Sequence, residues 1–258
     1  MISTKDWNGR EIELAESRGC VRAVAHPYRN LMRLGPQSGQ WPPPEIVQKL
    51  YQSRQQMAFD EPDLTHVKGD KGYYCDLQSL HSEDAITWSV FGPVRYAPSE
   101  LRDRFMDELL GAMNIESDPV CNGLIWLWTR IPHPDALVPG GPEIDFGITT
   151  ENVVVLGEAK WRSGIGKNQG KNHNKTQIGL RREFAQKLGE EYFGKGRRFV
   201  VLSLVRDKSK TGETEETGWS DSVVFKDLTW DQVCAFESHP MKDELMRYLE
   251  WKDLHSKD

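Results

Sequence analysis

The chain lacks the punctuation of several common enzyme classes. It carries neither a P-loop nor a dinucleotide-binding glycine motif, so no internal ATPase is expected. Its four cysteines, at positions 20, 75, 121 and 234, have no metal-ligand spacing. His26, His66, His81, His133, His173, His239 and His255 form no pair at short helical spacing, so zinc is not expected either. No long apolar run and no secretory leader occur, which argues against a membrane partner and makes a reducing cytoplasm the simplest compartment. Repeats and low-complexity tracts are missing as well.

What is present describes a folded protein. The 258 residues include nine tryptophans and 38% hydrophobic side chains, enough for one large domain or a core with an appendage. A net charge of −6 argues against a protein that coats nucleic acid generally, although a local positive cleft can coexist with an acidic surface.

The most informative stretch is Pro142-Glu143-Ile144-Asp145, followed by Glu158-Ala159-Lys160. Two apolar runs, Phe146 to Ile148 and Val153 to Leu156, flank a polar break at Thr149-Thr150-Glu151-Asn152, which predicts two antiparallel strands joined tightly. Strand side chains alternate faces, so Glu158 and Lys160 point together. With Asp145 across the hairpin on that face, three charges converge, and Glu143 shares the side of Asp145. Such a trio is costly to bury without a compensating metal or ligand. Two carboxylates are hard oxygen ligands suited to Mg²⁺, with Mn²⁺ as a substitute, and Mg²⁺ favours phosphate as a co-ligand. A Glu-x-Lys alone also occurs on solvated, salt-bridged strand faces. The Asp145 partner and the flanking segments separate this one from that background.

Basic residues follow. Between Trp161 and Arg182 there is no acidic side chain, whereas Arg162, Lys167, Lys171, His173, Lys175, Arg181 and Arg182 all lie there. The glycines and asparagines from Ser163 to Asn174 predict a mobile loop, placed to neutralise a nucleic-acid backbone. From Lys175 to Leu188 the spacing predicts a helix with Gly189 as its stop, and Gln177, Arg181 and Arg182 near its anion-favouring N-terminus.

The Pro-Glu-Ile-Asp and Glu-Ala-Lys pair resembles the PD-(D/E)xK nuclease superfamily, which includes restriction endonucleases, phage exonucleases and Holliday-junction resolvases. The resemblance implies an α/β, restriction-endonuclease-like core with a central mixed sheet flanked by helices. It implies Mg²⁺ on Asp145 and Glu158, with Lys160 assisting attack by water. Gln177 resembles a glutamine that several of these families carry on the helix after the lysine strand. A glutamate on a helix ahead of the core is also common, for which Glu83 is the candidate and Glu108 the alternative. Here Pro142 is followed by Glu143 and Ile144 rather than directly by the aspartate, which leaves open whether Glu143 also reaches the metal. The expected activity is hydrolysis of phosphodiesters, with DNA the expected partner. RNA, a non-catalytic binding role, a homo-oligomer and a partner protein stay open. A bacterial or phage defence setting is implied by resemblance only.

The other elements follow from periodicity and caps. Strands are predicted at 122–131, 198–205 and 220–226, and helices at 44–58, 83–91, 99–113, 229–236 and 241–254. Residues 1–80 are expected to form a mostly helical, substrate-selecting extension, and 81–258 the nuclease-like domain with its C-terminal helices. His26, Tyr28, Arg29, Arg33 and Trp41 are basic and aromatic, but packing and surface account for them equally.

Overall fold

A computed structural model describes residues 2–16, 22–34, 41–52, 75–135, 140–164, 175–207 and 218–256. The chain divides into two compact units, Met1–Tyr96 with Met241–Asp258, and Ala97–Pro240.

The first unit departs from the helical expectation. Strands β1 (Ile2–Lys5), β2 (Glu11–Glu16) and β3 (Arg22–Val24) form an antiparallel sheet in the order β1-β2-β3. The signal is local. In β2, Ile12 and Leu14 are buried while Glu11 and Glu13 are exposed, the two-residue period of a half-buried strand. Asn8-Gly9 makes the turn, with Gly9 at φ 75° and the Asp6 carboxylate accepting from the Asn8 and Arg10 N–H groups. Helices α1 (Pro44–Gln52), α2 (Glu83–Arg95) and a C-terminal helix (Lys242–His255) complete the unit. The C-terminal helix is tied into this unit through polar tips on apolar bodies. Trp251 Nε1 donates to the Lys5 carbonyl at 3.0 Å, Trp7 Nε1 to Glu244 at 3.0 Å and Lys252 Nζ to the Leu80 carbonyl at 2.8 Å. A concavity of about 340 Å³ on this unit is lined by Ser3, Glu11, Glu13, His26 and Arg29 among others, and holds neither Asp145 nor Glu158.

The second unit is a five-stranded mixed sheet with helices. After α3 (Ser99–Ala112) come β4 (Leu124–Arg130), β5 (Glu143–Thr149), β6 (Val153–Ala159), α4 (Gln177–Phe193), β7 (Arg198–Val205), β8 (Val223–Thr229) and the short α5 (Trp230–Cys234); the C-terminal helix is then α6. The spatial order is β4-β5-β6-β7-β8. β4, β5 and β6 pair antiparallel, and β6, β7 and β8 pair parallel. Parallel neighbours need a crossover, which α4 supplies between β6 and β7. Every residue of β6 is buried, as suits a strand flanked on both edges and covered on both faces. Phe184 and Ala185 of α4 pack with Val154, Leu156, Phe199 and Val223 of the sheet.

Most predicted elements fall within a few residues of their observed bounds, the far end of the helix predicted at 44–58 lies outside the described residues, and α4 shows why one boundary moved. Gly189 was the expected stop, yet the helix continues to Phe193 and ends at Gly194, whose φ is 92°. Gly189 is instead a contact residue, since a Cβ there would lie 2.6 Å from the Phe199 ring. The pattern of an apolar stripe ending at glycine does not distinguish a cap from a close approach. Among the described residues no helix is long and apolar enough to cross a membrane, and Cys75, Cys121 and Cys234 form no disulfide.

Close approach also governs the centre of the sheet. A Cβ on Gly157 would lie 2.3 Å from the Phe146 ring, and one on Gly147 would lie 2.1 Å from the Trp126 ring. Large side chains from neighbouring strands thus lie across glycines in β5 and β6. Gly157→Ala should overpack this point and cost about 1–3 kcal/mol of stability. Urea denaturation checks this, and an unchanged midpoint would mean that Phe146 turns aside freely.

Candidate active site

The last register pair of β5 and β6 is Phe146 with Gly157. One residue beyond, Asp145 and Glu158 occupy the next opposed positions, where cross-strand neighbours project from the same face. The ladder continues there through a side chain, because the Ala159 N–H donates to Asp145 Oδ2 at 2.7 Å. On β4, the residue passed over in the register opposite Asp145 is Trp128, which adopts a left-handed φ of 48°. A bulky residue in that region is strained, and such strain gathers at functional sites.

On the other edge of β6, Glu158 pairs in register with Ser203 of β7, and the Lys160 N–H donates to the Leu204 carbonyl at 2.7 Å. Trp230, which opens α5, donates its indole N–H to the Lys160 carbonyl at 2.8 Å. The backbone on both sides of the Glu-x-Lys is therefore fixed by hydrogen bonds from three other elements.

Glu158 is 0% exposed. Its Oε1 lies 2.8 Å from Lys160 Nζ, and its Oε2 is in contact with Nη2 of Arg181, which is 1% exposed. Neither contact is aligned as a hydrogen bond, so among the described residues both oxygens have charge partners but no hydrogen-bond donor. Arg181 is anchored in turn. Its Nη1 donates to the Gln177 carbonyl at 3.0 Å, and its Nη2 to the Glu143 carbonyl at 2.7 Å. Asp145 is half-buried. Burial first, and then the Glu158 charge, push the Asp145 carboxyl well above its ordinary value, against the pull of Arg181, Lys160 and the Ala159 N–H.

The other sequence candidates fall out as follows. Arg181, expected to meet substrate phosphate, spends its charge inside the protein on Glu158 and two carbonyls. Lys175 pairs with Asp135 at 3.0 Å and Glu183 at 2.7 Å, which offsets its charge locally. Arg162 stacks on Trp161, and Arg182 on Trp219. Lys167 and Lys171, with residues 165–174 of the basic loop, lie outside the described residues. Gln177 is the first residue of α4 and contributes its carbonyl to Arg181. Glu143 pairs in register with Arg130, and their side chains approach to 4.0 Å. The Glu108 carboxylate accepts from the Glu237 and Ser238 N–H groups and the Ser238 hydroxyl, a brace that occupies it. Glu83 belongs to the first unit, where it lies in the opening turn of α2 behind the Ser82 cap.

Sequence reasoning missed Arg206, whose guanidinium lies over Trp161 at 5.8 Å beside that of Arg162 at 5.5 Å, and which also pairs with Asp231. Its position just past β7 carries no local signal; only the parallel pairing of β6 with β7 brings it near. Trp230 is likewise invisible as a partner of Lys160 until the fold is known.

A divalent ion fits the residues in kind. Two carboxylates end adjacent strands on one face, and the two Glu158 oxygens keep unaligned lone pairs. Among the described residues no group of three or more His, Cys, Asp or Glu side chains is placed to hold a metal, so a donor set at this place would be the carboxylate pair. Mg²⁺ accepts one or two carboxylates when water and phosphate complete its shell. Neither a family model, nor a curated protein, nor a solved structure matches the chain.

The raised Asp145 pKa has a testable sign. Such a group contributes stability that is complete below the ordinary carboxylate value of 3.8 and is lost as pH rises through the raised value. In EDTA at neutral pH, Asp145→Asn should therefore melt at a higher temperature than wild type, with the gap closing towards about pH 4. Parallel melting-temperature curves across that range would show that Asp145 is not under this strain.

Proposed function

We propose that the protein is a Mg²⁺-dependent nuclease of the PD-(D/E)xK type, acting on DNA. One observation carries the reading. Asp145 and Glu158 stand at opposed positions where β5 and β6 part, and Lys160, two residues on, contacts Glu158 at 2.8 Å. This joins two oxygen ligands and a cation at the end of a rigid sheet, the set that metal-assisted attack on a phosphodiester requires.

In this reading Asp145 and Glu158 hold the ion, and Lys160 orients the attacking water or offsets the charge that grows on the phosphate. When bound, Mg²⁺ supplies Lewis acidity at the phosphoryl oxygen and lowers the pKa of a bound water. The protein's own contribution is placement. Trp230 and Leu204 fix the Lys160 backbone, and the Ala159 N–H fixes Asp145. In this reading Arg162 and Arg182, both half-buried and lying over tryptophan rings, add positive charge towards a nucleic-acid backbone.

The test is cleavage of circular and linear double-stranded DNA, single-stranded DNA and RNA with Mg²⁺, Mn²⁺ or EDTA. Wild type should cut DNA only with metal, and Lys160→Ala should lower the rate by about 10²-fold or more while folding is retained. Cutting confined to RNA would change the substrate. Wild-type rates in Lys160→Ala would remove the assignment, and binding without cutting would favour a non-catalytic nucleic-acid-binding protein on the same fold.

A further inference from the structure

Four charges meet at the end of β6: Asp145 and Glu158 against Lys160 and Arg181. Lys160 is accounted for by the proposed chemistry, whereas Arg181 is not. It sits on α4, is 1% exposed, and is held by the Glu143 and Gln177 carbonyls as well as by Glu158. A surface arginine can swing towards a ligand. This one is clamped from both its own helix and the start of β5, so its charge stays at the site whatever binds there.

The consequence is electrostatic. With both carboxylates ionised, the two cations already bring the formal charge of the quartet to zero. A divalent ion entering alone would leave an excess of two positive charges in a largely buried place, where Coulomb terms are weakly screened. A phosphate anion arriving with the ion removes that penalty. We propose that Arg181 is a resident counter-ion of Glu158 that makes metal loading depend on a substrate phosphate. Arg181 is then a positioning and gating residue, not a catalytic one, and the inference rests on the metal-site reading above. By linkage the coupling is reciprocal: phosphate tightens Mg²⁺ and Mg²⁺ tightens phosphate by the same factor.

The experiment is calorimetric titration of Mg²⁺ into the full chain, with and without inorganic phosphate, for wild type, Arg181→Met and Arg181→Lys. Arg181→Met keeps an unbranched side chain without its charge, and should bind Mg²⁺ alone about tenfold more tightly than wild type. Arg181→Lys keeps the charge and should stay near wild type. Phosphate should raise the wild-type affinity and change that of Arg181→Met much less. Equal affinities in wild type and Arg181→Met, or a Lys variant shifted as far as the Met variant, would overturn the inference while leaving the metal site standing. Should Arg181→Met fail to fold, the wild-type pair of titrations decides, and an affinity indifferent to phosphate refutes the coupling. Absence of Mg²⁺ binding in wild type and Arg181→Met, even with phosphate, would overturn the metal site and this inference together.

Discussion

A fully buried carboxylate in the central strand of the sheet is the constraint around which the second unit is arranged. Glu158 has no exposed surface, and its charge is met by Lys160 from its own strand and Arg181 from α4. Burying such a group is unfavourable, and removing one partner from a buried pair typically costs roughly 3–5 kcal/mol. An apolar residue at this position would serve stability as well or better, as Val154 and Leu156 do earlier on the same face. The strand thus gives up a simple solution at the place where the sheet's topology makes a site available.

That topology is what gathers the charges. Because β5 runs against β6, the beginning of β5 lies beside the end of β6. Because β7 and β8 run with β6, their ends lie there too, bringing in the Leu204 carbonyl, Arg206 and Trp230. The crossover helix α4 returns from the same end, which places Gln177 and Arg181 in its first turns above Glu158. Five elements converge at one end of the sheet, and the change from antiparallel to parallel pairing at β6 is the cause. Ligands of α/β sheets favour such places because strand ends and helix beginnings leave polar backbone groups to be satisfied.

The part of this legible in the sequence is the part governed by local periods. The two-residue alternation put Glu158 and Lys160 on one face, and the polar break at Thr149–Asn152 set Asp145 across the hairpin. The five strands and most helix ends follow from caps and apolar stripes. In the first unit, the Asn8-Gly9 turn between alternating residues was an equally local signal for a β-sheet where helix was expected. Other features depend on contacts that no period encodes. Arg181 reads as a helical cation near an N-terminus, and nothing nearby in sequence shows that Glu158 will sit beneath it. Lys175 reads as free to bind phosphate until Asp135 and Glu183 are found against it. Gly189 reads as a stop until the Phe199 ring is found packed on it. In each case the residue type was informative and the partner, distant along the chain, decided its role.

The same contrast explains how the site is held. Surface ion pairs such as that of Lys187 with Glu183 join two flexible side chains in water and contribute little. At Glu158 the carboxylate, both cations and the supporting carbonyls come from elements locked by ladder bonds and by aromatic rings lying across Gly147 and Gly157. The glycines allow the strands to be covered closely, the covering excludes water, and exclusion of water is what gives the quartet of charges its strength. A larger residue at either glycine would disturb the site through packing before it touched a charged group. Precision here comes from the sheet rather than from the charges themselves, which would attract one another in many arrangements but are permitted only this one.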